Sequence, residues 1–340
     1  MFRKSALFVV LLPAAMIIFF VTANGAGQAA EVEILFLHHS TGGNVYTEGE
    51  VAEWIRNYND NRGTDYHITA RSYPDKPYSW SNYPYDYWHL WIDGACDNDE
   101  PGITCLEALA ADYDVIIFKH CFPGADVLAD TGSPAVSSDR KSLENYRLQY
   151  RALRNRMDSY PNTIFIVWTL APRHRLATSP DNAARAAQFV DWVKNDFLSE
   201  DGEEHPNIFI FDFWGIAAEP DAAPVNGAVN CLKYIYERSH VDSNSHPNTL
   251  ANETAGPLFA ARIVEVVESF AGGEETIPEA GEENSNTGET GDSSGGGDGS
   301  GGSCFLSGFF AAHGAGQSPS AEPGHTLFPL YPGAKAGGSQ

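Results

Sequence analysis

Four short runs along the chain are apolar at nearly every position: VEILFLH (32–38), DVIIFK (114–119), TIFIVWT (163–169) and NIFIFDFW (207–214). Runs that do not alternate suit strands covered on both faces, as in a parallel sheet packed between helices. YHITARSY (66–73) reads as a weaker fifth strand, towards an edge. Amphipathic stretches separate these runs, at roughly 48–60, 104–112, 140–159, 181–199 and 250–270. The clearest places Leu143, Tyr146, Tyr150, Leu153 and Met157 at helical spacing. Strands alternating with helices predict an α/β fold: three layers, doubly wound, around a mainly parallel sheet of about five strands. This domain is expected over 31–271.

The flanks read differently. Arg3 and Lys4, an apolar run from Ala6 to Val21 and the small residues of TANGAGQAA have the form of a signal peptide over 1–30. An uncleaved membrane anchor is the other reading of that segment. Either way the remainder is expected to be exported. Residues 272–303 are acidic and Gly/Ser-rich, with almost nothing apolar to bury, and are expected to be a disordered linker. A low-complexity tail, 304–340, follows it, with cell-surface attachment as one reading. The formal net charge of −24 argues against a nucleic-acid partner, since little here neutralises a phosphate backbone. Of five cysteines, Cys96 and Cys105 flank the short loop CDNDEPGITC and are the first candidates for a disulfide. Cys121 and Cys231 pair only if the fold brings them together. No Cys-x-x-Cys pair or His/Cys cluster has zinc-site spacing, so no metal is expected.

Chemistry gathers at the strand ends, where ligands bind in open α/β sheets. The first strand runs into His38, His39, Ser40, Thr41, Gly42, Gly43 and Asn44, and the third ends in KHCFPGAD, Lys119 to Asp126. The fourth ends in TLAPRHR, and SHVDSNSHPN (239–248) precedes the last helix. A serine after the first strand, a polar turn after the third, and Asp with His-Pro-Asn before the last helix together resemble the SGNH (GDSL-type) hydrolase superfamily. The HHSTG and FKHCFPGAD variants resemble a divergent secreted branch of it. The resemblance covers about 31–271 and implies a flavodoxin-like sheet, with Ser40 as nucleophile, His246 as general base and Asp242 as the acid that orients it. The chain departs from the family pattern where His38-His39 replaces Gly-Asp and KHC replaces Gly-x-Asn-Asp. Asp242 also stands four residues before His246 rather than three.

The chemistry itself asks for these residue types. A serine hydroxyl needs a neighbouring base, an imidazole needs a partner to fix its tautomer, and the developing oxyanion needs donors. Gly42 and Gly43 offer backbone N–H groups for close approach, Asn44 an amide, and Lys119 and His120 charge and hydrogen bonding. Cys121 is expected to pack or to form a disulfide. The Tyr- and Trp-rich stretch 73–94 lacks a helical period; it reads as a loop folded over the sheet, or as a platform on which sugar rings stack. The expectation is an exported serine esterase or deacylase without cofactor, acting on an acylated small molecule or polysaccharide. Acyl transfer by the same residues, and a carbohydrate-binding or adhesion protein on a degenerate scaffold, are the alternatives.

Overall fold

Alternation along each strand decides which layer a side chain joins. The structure, a computed structural model, describes residues 30–74, 82–100 and 102–274. Its five strands are β1 (Glu31–His38), β2 (Asp65–Ser72), β3 (Val115–Phe118), β4 (Ile164–Trp168) and β5 (Ile208–Phe211). All neighbouring pairs are parallel, in the order β2-β1-β3-β4-β5. Ile34, Phe36, Ile117, Ile166 and Trp168 face one layer, while Leu35, Leu37, Phe118, Phe165 and Val167 face the other. Because both faces are covered, these strands carry no polar alternation, and the expected fold class is the observed one. β2, at an edge, is only partly covered, which is why its pattern is weaker.

The helices are α1 (Thr41–Glu48), α2 (Val51–Arg62), α3 (Pro84–Trp91), α4 (Ala95–Asn98), α5 (Leu106–Asp112), α6 (Leu143–Asp158), α7 (Pro180–Asn195), α8 (Phe213–Ala217) and α9 (Thr249–Glu274). α1, α2, α8 and α9 cover the first face; α3, α5, α6 and α7 cover the second. The helix expected over 48–60 is α2, which starts at Val51; α1 precedes it within the expected polar turn, and the two are broken at Gly49–Glu50. A Cβ on Gly49 would lie 2.6 Å from Asn252 O and 2.7 Å from Gly256 Cα, so α1 and α9 cross there with backbones nearly touching. The fifth strand is shorter than its apolar run, because Asp212 accepts the Gly215 N–H and caps α8.

Much of the aromatic stretch is core. Tyr73, Tyr83, Tyr87, Trp88 and Trp91 are buried, Trp91 Nε1 donates to Tyr73 Oη at 2.6 Å, and Tyr73 Oη donates to Thr104 O. These rings therefore form no open platform; residues 75–81 of the stretch lie outside the described residues. Cys96 and Cys105 form a disulfide with Cα atoms 5.5 Å apart, while Cys121 and Cys231 are free and buried. Among the described residues no helix is long and apolar enough to cross a membrane. The expected signal peptide, the linker from 275 onwards and the tail lie outside the described residues.

Candidate active site

The sheet order places β1 between β2 and β3, so the chain winds away from β1 in both directions. The carboxyl ends of β1 and β3 are therefore the switch point, where α/β sheets open a crevice. β1 delivers His38, His39 and Ser40 to it, and β3 delivers Lys119, His120 and Cys121. The ladder fixes them in register, pairing Leu37 with Phe118. Ser40 is exposed at the start of α1, and its Oγ lies 3.1 Å from Cys121 Sγ. Among the described residues that sulfur is its side-chain hydrogen-bond partner.

Beneath the pair sits Lys119, wholly buried. Its stem runs past Gly42, where an added Cβ would lie 2.6 Å from Lys119 Cδ and 2.7 Å from His38 Cβ. Its ammonium donates to His39 O at 3.3 Å, and burial holds its pKa below the usual lysine value. Burial pushes the Cys121 thiol up. The Lys119 ammonium, the Ser40 hydroxyl and the N–H groups of Thr41 and Phe122 outweigh that effect, and the thiol ends below its ordinary value. Burial, then Lys119 and His39, bring His38 down to about 4, so its imidazole is neutral at pH 7. His39 donates from Nε2 to Pro74 O at 2.8 Å.

The expected oxyanion and binding residues separate. Gly42 and Gly43 belong to the first turn of α1, and the Gly42 N–H is spent on His39 O. Both glycines are needed for packing, since an added Cβ on Gly43 would lie 2.9 Å from the His38 ring. Asn44 is half-buried, and its N–H closes the turn onto Ser40 O. Lys119 is too deep to touch a substrate. His120 faces away from the crevice: its ring packs among Tyr87, Phe118 and Tyr150. Both of its nitrogens lack partners among the described residues, and burial followed by Lys119 lowers it to about 3.

His246 comes from the loop before α9. Its half-buried ring meets the Phe122 ring edge-on at 4.9 Å, next to Cys121. Burial, then Arg238 and Lys119, lower its pKa. No hydrogen bond joins it to Ser40 among the described residues. The partner of its Nδ1 is Asn244 Oδ1, at 2.8 Å, and not Asp242. Asp242 is exposed, and its carboxylate accepts the Asn244 N–H at 2.9 Å, shaping the turn that presents Asn244. The extra residue between Asp242 and His246 thus moves the acid out of reach and brings an amide in.

Polar residues after β4 anchor this loop. Glu237, buried, pairs with His174 at 3.1 Å, Arg175 at 3.1 Å and His240 at 2.9 Å. The His174 N–H donates to Ser245 Oγ, and Arg175 donates to His240 O. The one cluster of metal-ligating residue types among the described residues contains the disulfide cysteines Cys96 and Cys105, whose sulfurs bond each other.

Sequence reasoning missed two groups. Asn244 is one of several polar residues in SNSHPN, and only the turn selects it. Cys121 follows a lysine and a histidine at a buried strand end, and that neighbouring charge was the available signal. Neither any protein-family model nor any curated protein matches this chain.

Proposed function

We propose that the protein is an exported ester hydrolase of the SGNH type, with Ser40 as its nucleophile. What supports this reading above all is an exposed serine at the switch point of a parallel sheet, with an imidazole held nearby on the loop before the last helix. Ser40 Oγ adds to an ester carbonyl and the alcohol leaves; water then hydrolyses the acyl-enzyme. Donation of the His246 Nδ1–H to Asn244 leaves Nε2 as the proton acceptor for that water. The Ser40 turn, where β1 passes into α1, is the place for the oxyanion. Export rests on the segment 1–30, and an acylated carbohydrate or small ester is the substrate class in view.

The test is release of p-nitrophenol from p-nitrophenyl acetate by the full chain, beside Ser40→Ala and His246→Ala. Both variants are expected to lose about 1000-fold or more in turnover, in line with other serine triads. A Ser40→Ala variant as active as the wild type, with no fluorophosphonate adduct on Ser40 in the wild type, overturns the reading.

A further inference from the structure

The Ser40 hydroxyl faces a sulfur. Cys121 lies 81 positions away in sequence, is 2 % exposed and is free of any disulfide. Around its Sγ stand the Ser40 hydroxyl, the Thr41 and Phe122 N–H groups and the Lys119 ammonium. Two N–H groups, a hydroxyl that can donate as well as accept, and a wholly buried cation form an environment for an anion. Lys119 has no carboxylate partner among its hydrogen bonds and ion pairs to the described residues. The group that acts on it as an opposite charge, raising its pKa against the effect of burial, is Cys121.

We infer that Cys121 is a resident thiolate and the base for Ser40. The inference rests on the reading of Ser40 as nucleophile and adds to it the route of the first proton. In acylation the Oγ–C bond forms and the carbonyl π pair moves to oxygen, while the Oγ–H proton passes to Sγ. On collapse the bond to the alcohol breaks, and the departing oxygen takes that proton from Sγ–H. The thiolate is restored and the enzyme is acylated. His246, which is not bonded to Ser40, then serves the water of deacylation. The two half-reactions thus use two bases.

Several groups bear on the charge of Cys121. Lys119 lies below it, Ser40 and the Thr41 N–H come from α1, and His38 and His39 from the end of β1. His246 stands across the Phe122 ring. His38 is neutral at pH 7, so Lys119 supplies the stabilising charge.

Stopped-flow mixing of the full chain with p-nitrophenyl acetate tests the assignment. Cys121→Ser, which is nearly isosteric, is expected to slow the burst about 100-fold or more, the usual contribution of a general base. His246→Ala is expected to keep the burst and slow the steady state, with the acetyl group found on Ser40 by peptide mass. Independently of activity, wild type is expected to show thiolate absorbance near 240 nm at pH 7. Cys121→Ser should lose it, and Lys119→Met should move its titration to higher pH.

A burst in Cys121→Ser within a few-fold of wild type overturns the inference, as does absence of the thiolate band. Acetyl found on Cys121 overturns it too, since sulfur is then the nucleophile. If wild type gives no burst and Ser40→Ala is equally active, the reading of Ser40 itself has failed, and that result is distinct from the others.

Discussion

On the proposed reading, Asn244 makes His246 a different base from one held by a carboxylate. A carboxylate stabilises the imidazolium and raises its pKa; an amide fixes the tautomer without adding charge. Burial and two nearby cations already lower His246, so it stays neutral further into acid. In Asn244→Asp the new charge is expected to raise the His246 pKa. The acid limb of deacylation, which is lost as His246 protonates, then moves about one pH unit upward. Asn244→Ala is expected to cost about tenfold or more in deacylation, and Asp242→Ala much less, because Asp242 only shapes the turn. Rate–pH profiles of the three variants check this; equal losses in the two alanine variants contradict it. None of this was readable from the sequence, because SNSHPN offers several polar partners and the family resemblance pointed to Asp242.

Between helices, the close crossing of α1 and α9 holds Ser40 where β1 leaves it. A Cβ on Gly256 would lie 2.3 Å from Gly49 O, a backbone atom that cannot swing aside. Gly256→Ala is therefore expected to destabilise the fold by about 1 to 3 kcal/mol, as overpacking does. It should also lower activity in the folded fraction by shifting α1; a melting temperature equal to that of wild type rules this out. The break at Gly49 was hidden in the sequence because its cause is a glycine some 200 residues later. α3 was hidden for another reason: Tyr87, Trp88, Leu90 and Trp91 are buried around much of the helix, which leaves no polar stripe to reveal a period. The strands, by contrast, were legible because covering both faces of a sheet removes polar residues from the run itself.

For the molecule as a whole, two histidines tie stability to pH. His120 and His38 are brought down to about 3 and about 4, against an ordinary value near 6.5. Unfolding lets both take up protons. Their contribution is present above pH ~6.5 and drains away as pH falls towards those lowered values. For His120, fully buried, the effect is on the order of 5 kcal/mol at the acid end. His120→Phe is expected to flatten the acid limb of a pH–melting curve and to leave ester turnover within a few-fold of wild type, since that ring faces the opposite layer. Unchanged acid sensitivity contradicts the first expectation, and lost turnover the second.

The pairing of Leu37 with Phe118 has one more consequence. Ser40 and Cys121 come within reach of each other only after two distant segments have annealed side by side. A half-made chain that has folded β1 with its neighbouring helices, but still awaits β3, has the serine without its sulfur. The hydroxyl in such an intermediate is an ordinary surface alcohol. On the proposed reading, hydrolytic power therefore arrives late in refolding, together with long-range order, and a chain still awaiting β3 is expected to be inactive towards esters.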